Sequence, residues 1–518
     1  MMTATKVLTT TMLARLVLDK NSLDTSEFTE IADDAAQSLV DLQLNSANQN
    51  PRRQETLLRS HVPSTRNTSS DRRLLDLDGL TNISDSAAEQ IGKFDGAIYL
   101  NSLTHLSDNA LRSLCQNASE LSLNGLLELS ESAATELRNF QGFNLFLDGI
   151  ISLSPNVADI LFNLHPQGDS LELSLSGLRE LDDESAHYLR NFKGSSLALD
   201  GLVSLSRVAA ESISLIVPTR EHLDISLNGL HAISDDAGEY LGRVSGELSL
   251  NGLASLSFSV SESLSNFQGL NLWLDGVREL SAESAASLSR IKGANLFGSR
   301  VFLGLFLNGL NHLTDDAAAN LCKIKGGLWL NGLTEISDEV AESLSQTTEE
   351  LWLSGLKTIS DAAATSLSQK PQELHLDGLA DLTTFAASQF SKFEGVLYLN
   401  GLTRISPSAL RELCNTQADL ALDGIQSLST VEAEALSRHR GNWLSLNGLT
   451  MLSEKAADHL SLHEGEILSL YGLTNISFLA AATMLRYRGN LLVVNLDGLS
   501  EDASRILQKH LGMLHFTT

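Results

Sequence analysis

One unit, L-x-L-[N/D]-G-L-x-x-[L/I]-[S/T]-[D/E]-x-A-A-x-x-L, recurs along most of this chain, and nothing else in it restricts the fold so severely. With the residue before the third leucine as marker, the copies centre on Gly79, Ser102, Gly125, Gly149, Gly177, Gly201, Gly229, Gly252, Gly276, Gly309, Gly332, Gly355, Gly378, Gly401, Gly424, Gly448, Gly472 and Gly498. These are numbered repeats 1 to 18. Most steps between markers are 23 or 24 residues; two are 28, the last is 26, and that from Gly276 to Gly309 is 33. The longest step contains ANLFGSRVFLGLFL and reads as a loop or hairpin insertion at about residues 294–304.

Each half of the unit has a physical reading. L-x-L alternates, as a short strand with one buried face does. Asn-Gly or Asp-Gly then turns the chain, since both residues tolerate positive φ. A hydroxyl followed by an acid, as in Ser337-Asp338, starts a helix by capping free N–H groups and placing a carboxylate at the positive end of the dipole. A-A-x-x-L continues it as a one-sided helix of two or three turns. One strand and one short helix cannot bury a core alone, but stacked copies can.

The segment from Leu328 to Asp338, LWLNGLTEISD, resembles a leucine-rich repeat. Its phasing is similar to the cysteine-containing subtype, L-x-L-x-x-C-x-x-I-T-D, with Leu333 in place of the cysteine, and its style to long bacterial proteins with L-x-L-x-G-L repeats. The resemblance covers about residues 74–499. It implies an α/β solenoid with a curved parallel sheet on the concave side, short helices on the convex side, and about 18 repeats of 23–24 residues. The asparagine-ladder position of the commonest leucine-rich repeats is absent and the period is short for the cysteine subtype, so curvature does not carry over. Residues 1–45 read as an N-terminal cap with a degenerate repeat, since Ile31–Leu39 matches Ile336–Leu344. Residues 46–73 read as a polar linker or insertion, with five arginines before Arg73. Residues 500–518 read as a C-terminal cap, with a closing helix from Glu501 to His510.

If the leucines of L-x-L point inward, three rows face out: the residue before the first leucine, x itself, and the Asn or Asp after the second. In the resemblance this is the concave surface. The middle row carries a ring in six consecutive repeats: Trp273, Phe306, Trp329, Trp352, His375 and Tyr398. At about 4.8 Å per strand they span roughly 24 Å. The fourth tryptophan of the chain, Trp443, lies in the first row. Aromatics favour strands and stack on one another, so the row has a structural reading; an exposed row of rings also has a binding one. The charges point the same way. None of the 54 exposed positions is Lys or Arg and fifteen are acidic, among them Glu350 and Glu373 in the first row and Asp275 and Asp377 in the third. The third-row residues can also hydrogen-bond the turn backbone. This face is expected to bind a protein with a basic surface, through charge and rings together.

Composition excludes several classes. A net charge of −28 with a pI near 4.8 argues against nucleic acid and anionic membrane as partners. Three cysteines, Cys115, Cys322 and Cys414, make no disulfide framework and suit a reducing compartment. The N-terminus lacks an unbroken apolar core and no run is long enough to span a membrane, so the expectation is a cytoplasmic protein. No metal, cofactor or catalytic residue is expected, because no G-x-S-x-G, phosphate loop or C-x-D motif occurs. His459 and His463 are four apart, but Leu460 stands where a metalloprotease has its glutamate, so both read as surface histidines near a helix end. The sequence thus points to a non-enzymatic interaction scaffold. A ligase-type adaptor or effector recruiting through residues 1–73, and an exported adhesion module, are the alternatives.

Overall fold

The computed structural model describes residues 6–13, 28–49, 73–165, 171–217, 223–292, 295–296, 299–300 and 303–508. The chain forms two compact units, Met1–Gly252 and Leu253–Thr518. In each, short parallel strands alternate with short helices, and every repeat's strand pairs with the next. The first unit aligns Leu75, Ile98, Leu121, Leu145, Leu173, Leu197, Ile225 and Leu248. The second aligns Leu272, Leu305, Leu328, Leu351, Leu374, Leu397, Leu420, Leu444, Leu468 and Leu492. Period-two alternation therefore keeps both leucines of L-x-L in the core; Leu328 and Leu330 are fully buried.

The helix Asp338–Leu344 is typical of its kind. Ser337 caps it, accepting a hydrogen bond from the Val340 N–H at 3.0 Å, and Val340, Ala341 and Leu344 are buried. Seven residues are too few for a stable isolated helix, so stacking holds it. The acid at the first helical position also accepts the cap hydroxyl of the following repeat. Ser337 donates to Asp315 at 2.9 Å, Thr383 to Asp361 at 3.0 Å, and Ser107 to Asp85. Hydrogen bonds from Ser107 and then Asn109 hold the Asp85 carboxyl below its ordinary value. Part of the chain's negative charge is thus used in joining helix starts.

At the N-terminus Val7–Leu8 pairs in parallel with Glu30–Ile31, and the helix Asp33–Gln49 follows. Ser84, the cap of repeat 1, donates to Asp33 at 2.6 Å. The helix runs past the expected break at residue 46; residues 50–72 of the arginine-bearing segment lie outside the described residues. The long step holds a small antiparallel hairpin, Asn295–Leu296 with Ser299–Arg300, and the sheet resumes at Leu303–Phe306. Trp273 and Phe306 are register partners across it, so the insertion leaves the strand stack intact.

Two expectations need correction. In repeat 18 the strand is Leu491–Val493 and Val493 pairs with Ser469, two residues earlier than a marker at Gly498 requires. Val493 thus replaces Asn495 in the middle row, and Asp497 leaves the third, so fourteen of the exposed positions are acidic. LLVVNL offers two apolar alternations, and the stack selects the one that keeps a 24-residue step from Leu468 to Leu492. The second correction concerns His463, which is only 1% exposed rather than on the surface. Its ring lies between His439 and Tyr487, with centroids 5.5 and 6.3 Å away. This position, three residues beyond the last helical leucine, is filled by Phe94, Phe192, Phe267 and Phe393 in other repeats, so it belongs to the core. His459 is half-buried on its helix. Among the described residues, no helix is long and apolar enough to cross a membrane.

Candidate functional site on the strand face

The strand face is built on an oxygen ladder. In the third row, Asn and Asp side chains within each unit accept the backbone N–H at the same position of the next repeat. In the first unit Asp78 accepts from Asn101 at 2.9 Å, Asn101 from Asn124 at 3.0 Å, Asn124 from Asp148 at 2.8 Å and Asp200 from Asn228 at 2.8 Å. In the second, Asp275 accepts from Asn308 at 2.9 Å, Asn308 from Asn331 at 3.0 Å, Asn331 from Ser354 at 2.9 Å and Asp377 from Asn400 at 3.0 Å. Without these acceptors the amides that follow each strand would lack partners. Only the side-chain oxygen is needed, which explains why Asn and Asp alternate freely.

Where the middle row is serine, its hydroxyl closes onto this ladder. Ser122 donates to Asn101 at 2.6 Å, Ser249 to Asn228 at 2.7 Å, Ser445 to Asp423 at 2.6 Å and Ser469 to Asn447 at 2.6 Å. From repeat 9 to repeat 14 rings take that place. Trp273, Phe306 and Trp329 stack with centroids 5.0 and 4.2 Å apart and planes within 20°. Trp352, His375 and Tyr398 form a tighter stack at 3.4 and 4.0 Å, within 10°. Between the two stacks the Trp329–Trp352 separation is 5.9 Å. Trp443 meets Tyr398 edge-on at 6.0 Å and 62°. All seven sequence-predicted rings are therefore together.

The rings are half-buried, apart from His375, which is buried. In the tight stack each face lies against its neighbour, so edges point outward and cation–π contact with those faces is closed off. Glycines shape the other stack. A Cβ on Gly327 would lie 2.5 Å from the Trp329 ring, and one on Gly304 3.1 Å from it. The bare backbone of the first row there lets Trp329 lie across it. Neither glycine is among the sequence candidates; an aromatic beside a first-row glycine in consecutive repeats is the signal that marks them.

Carboxylates border the tight stack. Glu373 is 2.8 Å from Nε2 of His375 and Asp377 is 3.6 Å from its Nδ1, so both ring nitrogens face an acid. Trp352 Nε1 donates to Glu350 at 3.4 Å. Burial raises the Asp377 carboxyl, but hydrogen bonds from His375, the Asn400 N–H and Ser354 outweigh it and leave the group below its usual value. Burial and then the Glu373 carboxylate push the Tyr398 hydroxyl up to about 12. Behind the strands Lys370 is buried, donating to the carbonyls of Glu349 and Pro371, and desolvation lowers it to about 8 against the pull of the nearby glutamates. Asp275 and Asp377 thus carry structural duty as well as charge, whereas Glu350 and Glu373 are tied to ring nitrogens.

Among the described residues no group of three His, Cys, Asp or Glu side chains could hold a metal ion. Cys115 and Cys414 are buried, and burial pushes both thiols up to about 12.

No family model matches the chain, and no curated protein does. Among solved structures it is similar to an internalin, InlF, from Listeria monocytogenes str. 4b F2365, at 17% identity over 65% of this chain and 88% of that one, with a TM-score of 0.36. The Toll–Spätzle complex of Drosophila matches at 14% identity over 77% of this chain and 56% of that one, with a TM-score of 0.35. A TLR13–ssRNA13 complex matches at 17% identity over 82% and 60%, with a TM-score of 0.35. What identifies the fold is the chain's own geometry: its strand, Asx-Gly turn and capped helix recur in register within each unit, and each unit is an α/β solenoid of the leucine-rich-repeat kind.

Proposed function

We propose that the protein is a non-enzymatic interaction scaffold that binds a partner protein with a basic surface on the strand face of its second unit. The contact residues are Trp273, Phe306, Trp329, Trp352, His375, Tyr398 and Trp443, with Glu350, Glu373, Asp275 and Asp377 supplying the negative field. One observation carries the reading. The same repeat is completed with serine in the middle row elsewhere, so rings are not required to build it. Six consecutive rings in a position that serine satisfies are best explained by what they present to a partner. Locked side chains lose little entropy on binding, and desolvated aromatic anchors dominate many interfaces. The absence of Lys and Arg from the exposed rows favours a cationic partner and disfavours an anionic one. Three free cysteines, two of them buried, fit a reducing, cytoplasmic setting.

The test is affinity capture from lysate of the native cells with the wild-type chain and a Trp273/Trp329/Trp352→Ser variant whose folding is checked by circular dichroism. Loss of a basic partner with the fold retained supports the proposal. A variant that keeps every partner sinks it.

A further inference from the structure

The ring row is chemically uneven from end to end, and this deepens the function proposed above by saying which way round a partner lies. Repeats 9 to 11 place Asn271, Gly304 and Gly327 in the first row and Asp275, Asn308 and Asn331 in the third, beside the stack of Trp273, Phe306 and Trp329. That is a single carboxylate, and it accepts the Asn308 N–H. Repeats 12 to 15 place Glu350, Glu373, Asp377, Asp419 and Asp423 beside Trp352, His375 and Tyr398. These five also have donors: Trp352 Nε1 for Glu350, His375 Nε2 for Glu373, Ser354 and the Asn400 N–H for Asp377, the Trp443 N–H for Asp419, and Ser445 and the Asn447 N–H for Asp423. Neutral donors orient a carboxylate without cancelling its charge. Lys370 behind the strands offsets part of the field, and a protonated His375 would offset more, but the five carboxylates outnumber both. The 5.9 Å break between Trp329 and Trp352 falls where the carboxylates begin. Ring packing and charge thus change at one boundary.

We infer that this face takes a polypeptide segment of fixed polarity, with its apolar side chains over repeats 9 to 11 and its Lys or Arg side chains over repeats 12 to 15. Six strand steps span roughly 29 Å, the length of about nine extended residues. Bare glycine backbone and ring edges offer an apolar chain contact without a charge to desolvate. The carboxylate end rewards a cation and repels a phosphate. A second copy of the chain is a poor occupant, because its net charge is −28 and its own exposed rows lack cations.

The chain's four tryptophans all lie on this face, Trp273 and Trp329 toward one end of the ring cluster and Trp352 and Trp443 toward the other, so they report on it directly. The full-length protein would be labelled with 5-fluorotryptophan and its fluorine resonances assigned from single Trp→Phe variants. The probe is a synthetic peptide joining an oligo-leucine block to an oligo-arginine block, with a nitroxide on one end or the other. A label at the arginine end should broaden Trp352 and Trp443 severalfold more than Trp273 and Trp329; a label at the leucine end should do the opposite. Glu350→Gln with Glu373→Gln should weaken the peptide about tenfold at low ionic strength. Equal or reversed broadening, or unchanged affinity in the double variant, would overturn the polarity and leave the site itself standing. Resonances that do not respond to either peptide would overturn both the polarity and the reading it rests on.

Discussion

The two units use one frame and finish it differently. In the first, the middle row is Asp76, Tyr99, Ser122, Phe146, Ser174, Ala198, Ser226 and Ser249, and its serines spend their hydroxyls on the oxygen ladder. Tyr99 there donates to Glu120, which also accepts from Asn144 at 2.8 Å, so an acid of the first row is drawn into an internal network. In the second, the ladder continues without those hydroxyls from repeat 9 to repeat 12, and rings stack above it. The comparison separates what builds the repeat from what decorates it. Leucines, cap hydroxyls and ladder oxygens are common to both units; the ring stacks are not.

The shared frame should yield the largest effects. Leu351→Ala removes a fully buried side chain and is expected to cost about 2–5 kcal/mol in urea denaturation. Acid comes next, and its effect should centre on the second unit. His463 titrates at about 4 in the fold, because burial and then neighbouring His439 disfavour its charge, against 6.5 when unfolded. On acidification the unfolded chain binds this proton first. Stability is therefore complete above pH 6.5, declines between 6.5 and 4, and has lost roughly 3 kcal/mol by the lower limit. Denaturation midpoints at several pH values should show this slope, and His463→Phe, which installs the residue of Phe393, should reduce it. An unchanged slope would mean that His463 is not its source.

A finer test addresses the ladder. Asp275→Asn keeps the acceptor and should shift stability by less than about 0.5 kcal/mol, whereas Asp275→Ala strands the Asn308 N–H and should cost about 1–3 kcal/mol. Equal effects would show that charge, not the hydrogen bond, matters there. The smallest effect on stability is expected from Gly327→Ala. Its Cβ would displace the Trp329 ring, changing tryptophan emission while the strand register holds. Unaltered emission would mean that the ring does not rest on that backbone.

Much of this frame is legible in the sequence because it is local and repeated. Strand, turn and cap each sit within a few residues and recur at one period. What escapes depends on the next repeat. Asn and Asp after the strand read as turn residues, but their acceptor role joins a side chain to an N–H some 23 residues away, as from Asn308 to Asn331. His463 is hidden because its position holds Phe, Leu, Ile, Val, Thr, Lys, His, Tyr or Asn in different repeats, which conceals a mostly buried row inside a polar stretch. The ring row is visible as composition, but not its division after Trp329, which is a matter of ring spacing, 4.2 Å to Phe306 and 5.9 Å to Trp352. Repeat 18 is misread because LLVVNL satisfies the alternation twice.

The most direct test of the distinction between frame and decoration is to give the second unit the first unit's finish. In Phe306/Trp329/Trp352→Ser, each new hydroxyl would sit where Ser122 and Ser445 sit, within reach of Asp275, Asn308 and Asn331. Urea denaturation should show one cooperative transition, with less stability lost than in Leu351→Ala. A larger loss, or failure to fold, would contradict the account and make the rings part of the frame.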